Sequence, residues 1–167
     1  MMAQKILPID LQNEGKWAGV PDLQLLSRWV KAALQKDYDN LQQTIRVVGR
    51  SESQTLNTRF RGKSAPTNIL SFPAEIPYLD YQYLGDLVIC APLVIQEANQ
   101  QGKLVDAHWA HLIVHGMLHL QGFQHDNDDQ TDKMETLEIG ILSTLGYRNP
   151  YNSRPFNKPP GGKNGRR

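Results

Sequence analysis

Apolar residues along the first half of the chain switch repeatedly between two rhythms, one that suits a strand and one that suits a helix. Lys5 to Asp10 reads as a first strand, and between Pro21 and Lys36 the residues Leu23, Leu26, Val30, Ala33 and Leu34 recur at helical spacing. Pro21 suits the first turn of that helix, where its missing N–H costs nothing. Thr44 to Val48 predicts a short strand and Ser51 to Phe60 a helix, with Ser51 as N-cap and Leu56 and Phe60 as an i, i+4 apolar pair. Two further strands, Asn68 to Phe72 and Leu84 to Cys90, flank a loop containing Pro73 and Pro77. From Ala91 the pattern is helical. Pro92 opens a helix that stops at Gly102, Asp106 caps a histidine-rich helix, and Asp128 to Leu145 forms a last amphipathic helix ended by Gly146. There is no internal repeat. Strands in the first half and helices in the second predict an α+β single domain, a small mixed four-stranded sheet packed with about five helices.

Composition narrows the picture. At 167 residues, with 40% hydrophobic and 21% charged, the chain suits one globular domain, assigned to residues 1–149, followed by a basic tail, 150–167. The single cysteine, Cys90, excludes an internal disulfide and a thiolate cluster, so any metal must take nitrogen and oxygen ligands. No charged start followed by an apolar stretch and no run of about 18 apolar residues is present, which predicts a cytoplasmic protein with no membrane partner. The net charge of +1 conceals an uneven distribution: five basic residues and no acid follow Pro150, leaving a body with 13 basic and 17 acidic groups. A tail of that composition buries too little to offset its ordering entropy and is expected to be disordered. It can add weak, salt-dependent attraction to a polyanion.

All five histidines lie between His108 and His125, and His115, His119 and His125 are spaced as HxxxHxxxxxH. At about 100° and 1.5 Å per residue, an i, i+4 pair on a helix stands on one face, one turn apart, so two imidazoles can converge on one ion. Gly122 can take the left-handed conformation that ends a helix, which allows His125 to return as a third ligand. Three neutral imidazoles with an open fourth position describe a catalytic zinc centre better than a structural one, although the same donors also suit nickel or copper. His111 cannot join His115 and His119 on one ion, because residues eight apart lie about 12 Å apart along a helix. Like His108, it is expected to be buried with a bonded ring nitrogen, with His111 a neighbour of the site. The spacing is also that of zinc peptidases, but their HExxH glutamate, the general base, is here Gly116. A glycine there would keep the wall beside the metal low. The acidic residues Asp126, Asp128, Asp129 and Asp132 lack the order of a calcium loop and are read as negative charge at the start of the last helix, which Asp128 or Asp129 caps.

The second informative stretch is basic. Arg46, Arg50, Arg59, Arg61 and Lys63 fall within eighteen residues that contain one acid, Glu52, and a polyanion would dock there. Three blocks then carry a resemblance: LNTRFRGKSAPTNILSFP from Leu56 to Pro73, LGDLVIC from Leu84 to Cys90, and HWAHLIVHGMLHLQGFQH from His108 to His125. Over about Lys5 to Tyr151 the chain resembles the YbeY family, bacterial single-domain zinc endoribonucleases of ribosomal RNA maturation, particularly at the 3′ end of the small-subunit 16S RNA. The resemblance implies one zinc ion per chain on His115, His119 and His125, and Arg61 as the arginine important for activity, with Arg59 and Lys63 as candidate substrate contacts. It places Asn68 where many members carry aspartate, and it leaves Asp86 either to orient a zinc ligand from outside the coordination sphere or to end a strand turn. The implied substrate is single-stranded RNA in ribosomal RNA or ribosomal particles, with a ribosomal protein or ribosome-associated GTPase as a conceivable partner, cleaved by attack of water or of the 2′-hydroxyl. Two other readings stand beside it, a zinc metallopeptidase and a non-catalytic ribosome assembly factor in which zinc only holds the fold.

Overall fold

In the computed structural model, which describes residues 7–74 and 83–152, the chain runs β1 (Ile9–Gln12), α1 (Leu23–Ala33), β2 (Gln43–Val48), α2 (Arg50–Arg61), β3 (Ile69–Pro73), β4 (Gly85–Cys90), α3 (Ala91–Gln101), α4 (Val105–Leu120) and α5 (Asp128–Thr144). The four strands make one mixed sheet in the order β1-β2-β4-β3, parallel between β1 and β2 and between β2 and β4, antiparallel between β4 and β3. This is the α+β architecture expected from the residue pattern. Strand β4 is apolar along nearly its whole length because it is an inner strand with helices over both faces.

Strand alternation divides the sheet between two cores. Ile45, Val47, Ile69, Leu87 and Ile89 face the large core, shared with α1, α4 and α5 and including the fully buried Trp29 and Trp109. On the other face Val48, Leu70, Val88 and Cys90 form a smaller cluster with Leu56 of α2, Phe72 and Leu93. Helix α4 is apolar around its circumference and has eleven buried residues, as a helix enclosed by neighbours must be. It packs on α1, α3, α5 and the β3 side of the sheet. Helix α2, by contrast, lies on the opposite face of the sheet.

Several boundaries differ from the pattern-based expectation, each for a local reason. The first strand begins at Ile9, where pairing with Gln43 starts; the expected start at Lys5, like Pro77 and residues 153–167 of the tail, lies outside the described residues. Asp22 caps α1 by accepting from the Leu25 N–H, so Pro21 precedes the helix. Helix α2 starts one residue before Ser51, with Gly49 at the cap, and α4 starts at Val105, which puts Asp106 inside its first turn. Asn127 caps α5 through the Gln130 N–H, and Asp128 and Asp129 supply negative charge to the first turn.

Candidate metal centre

Helix α4 delivers two imidazoles to one point, and the turn that ends it delivers the third. The turn is a Schellman motif: Phe123 N–H donates to the Leu118 carbonyl at 3.1 Å and Gly122 N–H to the His119 carbonyl at 3.0 Å. It requires a left-handed residue, supplied by Gly122 at φ +100°. The chain therefore folds back and brings His125 within ring-centroid distances of 4.7 Å from His119 and 5.5 Å from His115. One ligand-capable atom from each of His115, His119 and His125 lies within 4.8 Å of the others, and among the described residues no further histidine, cysteine or carboxylate joins that group.

The protonation of two rings follows from their outer neighbours. His119 Nδ1 lies 2.9 Å from the Phe123 carbonyl, which can only accept, so Nδ1 carries the proton. His115 Nδ1 lies 2.6 Å from Glu138 Oε2 and donates to it in the same way. In the neutral state both Nε2 atoms then present lone pairs, and they face one another at 3.1 Å. Burial, followed by the positive charge of His115 and His125, pushes His119 down to about 4, which disfavours relieving that contact with a proton. A cation relieves it. Two nitrogens at about 2.05 Å on a tetrahedral ion stand about 3.3 Å apart, close to the spacing seen, so the residues present fit a metal ion such as zinc.

Glu138, on α5, was not among the residues singled out by motif. It is fully buried and binds two histidines at once: Oε2 accepts from His115, and Oε1 accepts from His111 Nε2 at 2.9 Å and from the Tyr151 hydroxyl. Burial alone would raise its pKa, but the hydrogen bonds from His111 and His115 and their charge outweigh this and hold the carboxyl well below the usual carboxylate range. His111 itself is pushed down by burial, chiefly, and serves as a neighbour of the trio. Tyr151 stacks edge-on against its ring at 5.3 Å, so the residue that the expected boundary assigned to the tail sits against the histidine helix. The sequence does contain a trace of Glu138: it occupies the middle of the buried stripe Met134, Glu138, Leu142, where a carboxylate needs a partner.

Gly116 plays a different part from the one its neighbourhood in sequence suggested. It faces the sheet: a Cβ built there would stand 2.8 Å from Leu87 Cδ2 and 2.9 Å from Ile69 Cδ1. The glycine therefore lets α4 approach β3 and β4 closely, and Ser71 Oγ donates to its carbonyl at 3.3 Å. A low wall beside the metal is not what it provides. A glutamate at this position would point into the core.

The basic stretch splits in two. Arg46 is held by Glu14 at 3.0 Å and Glu52 at 2.7 Å, so its charge is neutralised, whereas the exposed Arg50 bonds only the neutral amide of Gln96. Arg59, Arg61 and Lys63 are exposed at the C-terminal end of α2, and among the described residues no carboxylate pairs with them. They lie at the end of α2, which packs on the small-core face of the sheet, whereas the trio lies at the end of α4, on the large-core face. Asp86 accepts from the Tyr83 hydroxyl; the groups on the outer nitrogens of His115 and His119 are Glu138 and the Phe123 carbonyl. Asn68 donates to Glu97, which also bonds the buried His108 at 2.8 Å.

Fold and site together define a single-domain α+β protein whose central helix and following turn form a three-histidine centre able to hold a metal ion. A family model described as endoribonuclease YbeY matches residues 11–146, and the chain belongs to that family. It is accordingly an endoribonuclease, a hydrolase of RNA in ribosomal RNA processing. Among solved structures, the chain is similar to the solution structure of TM1509 from Thermotoga maritima, at 21% identity and a TM-score of 0.49, over 93% of this chain and 99% of that one. No helix among the described residues is long and apolar enough to cross a membrane.

Proposed function

We propose that the chain is a single-strand-specific zinc endoribonuclease of the cytoplasm that acts in maturation of the 16S ribosomal RNA 3′ end and in ribosome biogenesis or quality control. Residues 1–149 form the catalytic domain and 150–167 a basic tail, of which Tyr151 packs back on the domain. The observation that carries the reading is the facing pair of Nε2 atoms on His115 and His119, with His125 completing a three-nitrogen donor set that leaves a coordination position for a reactant. Zinc held there supplies Lewis acidity toward a phosphate oxygen and acidifies water at neutral pH. The protein's own groups do the rest. Glu138 and the Phe123 carbonyl keep the ring protons on the outer nitrogens, and Arg61 offers its planar, permanently charged fork to the RNA backbone phosphates that flank the reacting one.

Arg61 ends α2 and the trio lies at the end of α4, helices on opposite faces of the sheet, and Phe60 beside Arg61 touches Phe72 of the edge strand β3. A substrate that meets both must bend around that edge. Single-stranded RNA can do so and a stiff duplex cannot, which favours single-strand specificity. Arg59 and Lys63 add phosphate contacts on the same approach, and Asp86 anchors the end of β4 through Tyr83. Ribosomal RNA within ribosomal particles is the proposed substrate, and a ribosomal protein or ribosome-associated GTPase is the proposed partner. The peptidase reading loses ground because the position of its general base points into the sheet. The test is cleavage of ribosomal RNA or particles by wild type, Arg61→Ala and His115→Ala, with metal content measured in each. Arg61→Ala is expected to lose cleavage and keep zinc, and His115→Ala to lose both. Full cleavage by His115→Ala would sink the metal mechanism. End-group analysis separates water attack, which leaves a 5′-phosphate downstream, from 2′-hydroxyl attack, which leaves a 2′,3′-cyclic phosphate upstream.

A further inference from the structure

The apolar stripe of α2 runs out into solvent. Leu56 packs into the small core, but Phe60, one turn on, is 56% exposed and rests edge-on against Phe72 of the edge strand at 5.2 Å. The Arg59 guanidinium lies 5.3 Å from the Phe60 ring centroid, and Arg61 and Lys63 follow in the same turn. An exposed aromatic set among three cations that no carboxylate of the described residues pairs is poorly suited to an apolar partner surface, because docking one would desolvate the cations. It suits a ligand that carries flat π-faces and negative charge on one chain.

The surface is also built in advance. The connection from Gly62 to Asn68 is laced back onto α2: Ser53 Oγ donates to the Thr67 carbonyl at 2.6 Å and Asn57 Nδ2 to the Ala65 carbonyl at 2.8 Å. Thr58 Oγ1 donates to the Lys63 carbonyl at 2.8 Å, and Gln54 Nε2 to the Ser64 carbonyl at 3.2 Å. These bonds hold the backbone that carries the cations, and Ser53 and Asn57 are buried where a helix would ordinarily place apolar residues. Such a rigid end reduces the ordering cost of binding.

We propose that Phe60, with the Arg59 guanidinium beside it, is a stacking platform for one unpaired nucleobase of single-stranded RNA, and that Arg61 and Lys63 guide the adjoining phosphates toward the edge of β3. The inference rests on the endoribonuclease reading and extends it to a residue that binds a base and not the reacting phosphate. Stacking tolerates any base, so the platform selects for unpaired nucleotides and not for a sequence.

The test uses the full chain and a short single-stranded RNA carrying 2-aminopurine, read by anisotropy for affinity and by 2-aminopurine quenching for stacking. Phe60→Ala is expected to weaken binding about 5- to 100-fold and abolish the quench while leaving the salt dependence unchanged. Lys63→Ala should flatten the salt dependence instead. Phe60→Leu keeps the apolar cover over Phe72 and removes the π-face, so it is expected to behave like the alanine variant, and Phe60→Trp to bind at least as well as wild type. Wild-type affinity and quench in Phe60→Leu would overturn the platform and leave the patch as a surface for protein. Failure of wild type itself to bind single-stranded RNA would overturn the endoribonuclease reading as well, which separates the two failures.

Discussion

Changing Glu138 to glutamine keeps the shape of the side chain and removes its charge, and the consequences follow from three neighbours. The carboxylate accepts from His115 on one oxygen and from His111 and the Tyr151 hydroxyl on the other, in a place with no solvent contact. An amide can accept on one side only. If its carbonyl faces His115, its NH2 group meets His111 Nε2, which must give up its proton to Nδ1, an atom that is buried without a hydrogen-bond partner. If its NH2 faces His115 instead, the proton on that ring must move to Nε2, the nitrogen needed for the metal. Either way a buried group is left mismatched. Substitution of such an outer partner typically lowers metal affinity about 10- to 100-fold, about 1.4 to 2.7 kcal/mol. The assay is zinc competition against a chelator of known affinity, for wild type and Glu138→Gln, with histidine ring-nitrogen NMR to read which nitrogen of His115 carries the proton. Unchanged zinc affinity together with an unchanged His115 tautomer would refute the role assigned to Glu138.

Gly116→Ala is expected to gain helix propensity of about 1 kcal/mol and lose about 1 to 3 kcal/mol to overpacking against Leu87 and Ile69, for a net destabilisation in urea melts. Gly116→Glu, which restores the HExxH letters, should destabilise by more than about 4 kcal/mol and yield no peptidase activity on a casein substrate. Glu97 titrates below its ordinary 4.5: burial pulls the other way, but the hydrogen bonds from His108 and Asn68 prevail. Its contribution is therefore fully present above about pH 4.5 and is lost as pH falls through the lowered value, so Glu97→Gln should show a shallower loss of stability on acidification than wild type. Tyr151→Phe removes the hydroxyl contact to Glu138 and is expected to weaken zinc binding in the chelator assay by less than Glu138→Gln.

The histidine trio is readable from spacing because helix geometry is local: an i, i+4 pair and a glycine turn determine most of where His115, His119 and His125 go. The strand and helix alternation is readable for the same reason, since period and burial are linked within each element. What could not be read was what lies across a packing interface. Glu138 reaches His115 from a helix begun thirteen residues later in the chain than that histidine, and Gly116 faces the sheet and not the site because α4 is rotated to bury both of its sides. The basic stretch looked continuous, yet Arg46 is consumed by Glu14, which is brought in from the segment after β1. Caps moved by a residue or two because neighbouring residues suited to an N-cap, Gly49 or Ser51, Asn127 or Asp128, can each start the helix at little cost.

The most direct test is X-ray absorption at the zinc edge on the loaded protein, with His119→Ala alongside. Three imidazole nitrogens at about 2.0 to 2.1 Å and one further light-atom ligand from solvent, lost when His119 is removed, is the expected result. A fourth ligand from the protein, or zinc bound with wild-type affinity in His119→Ala, would contradict the account.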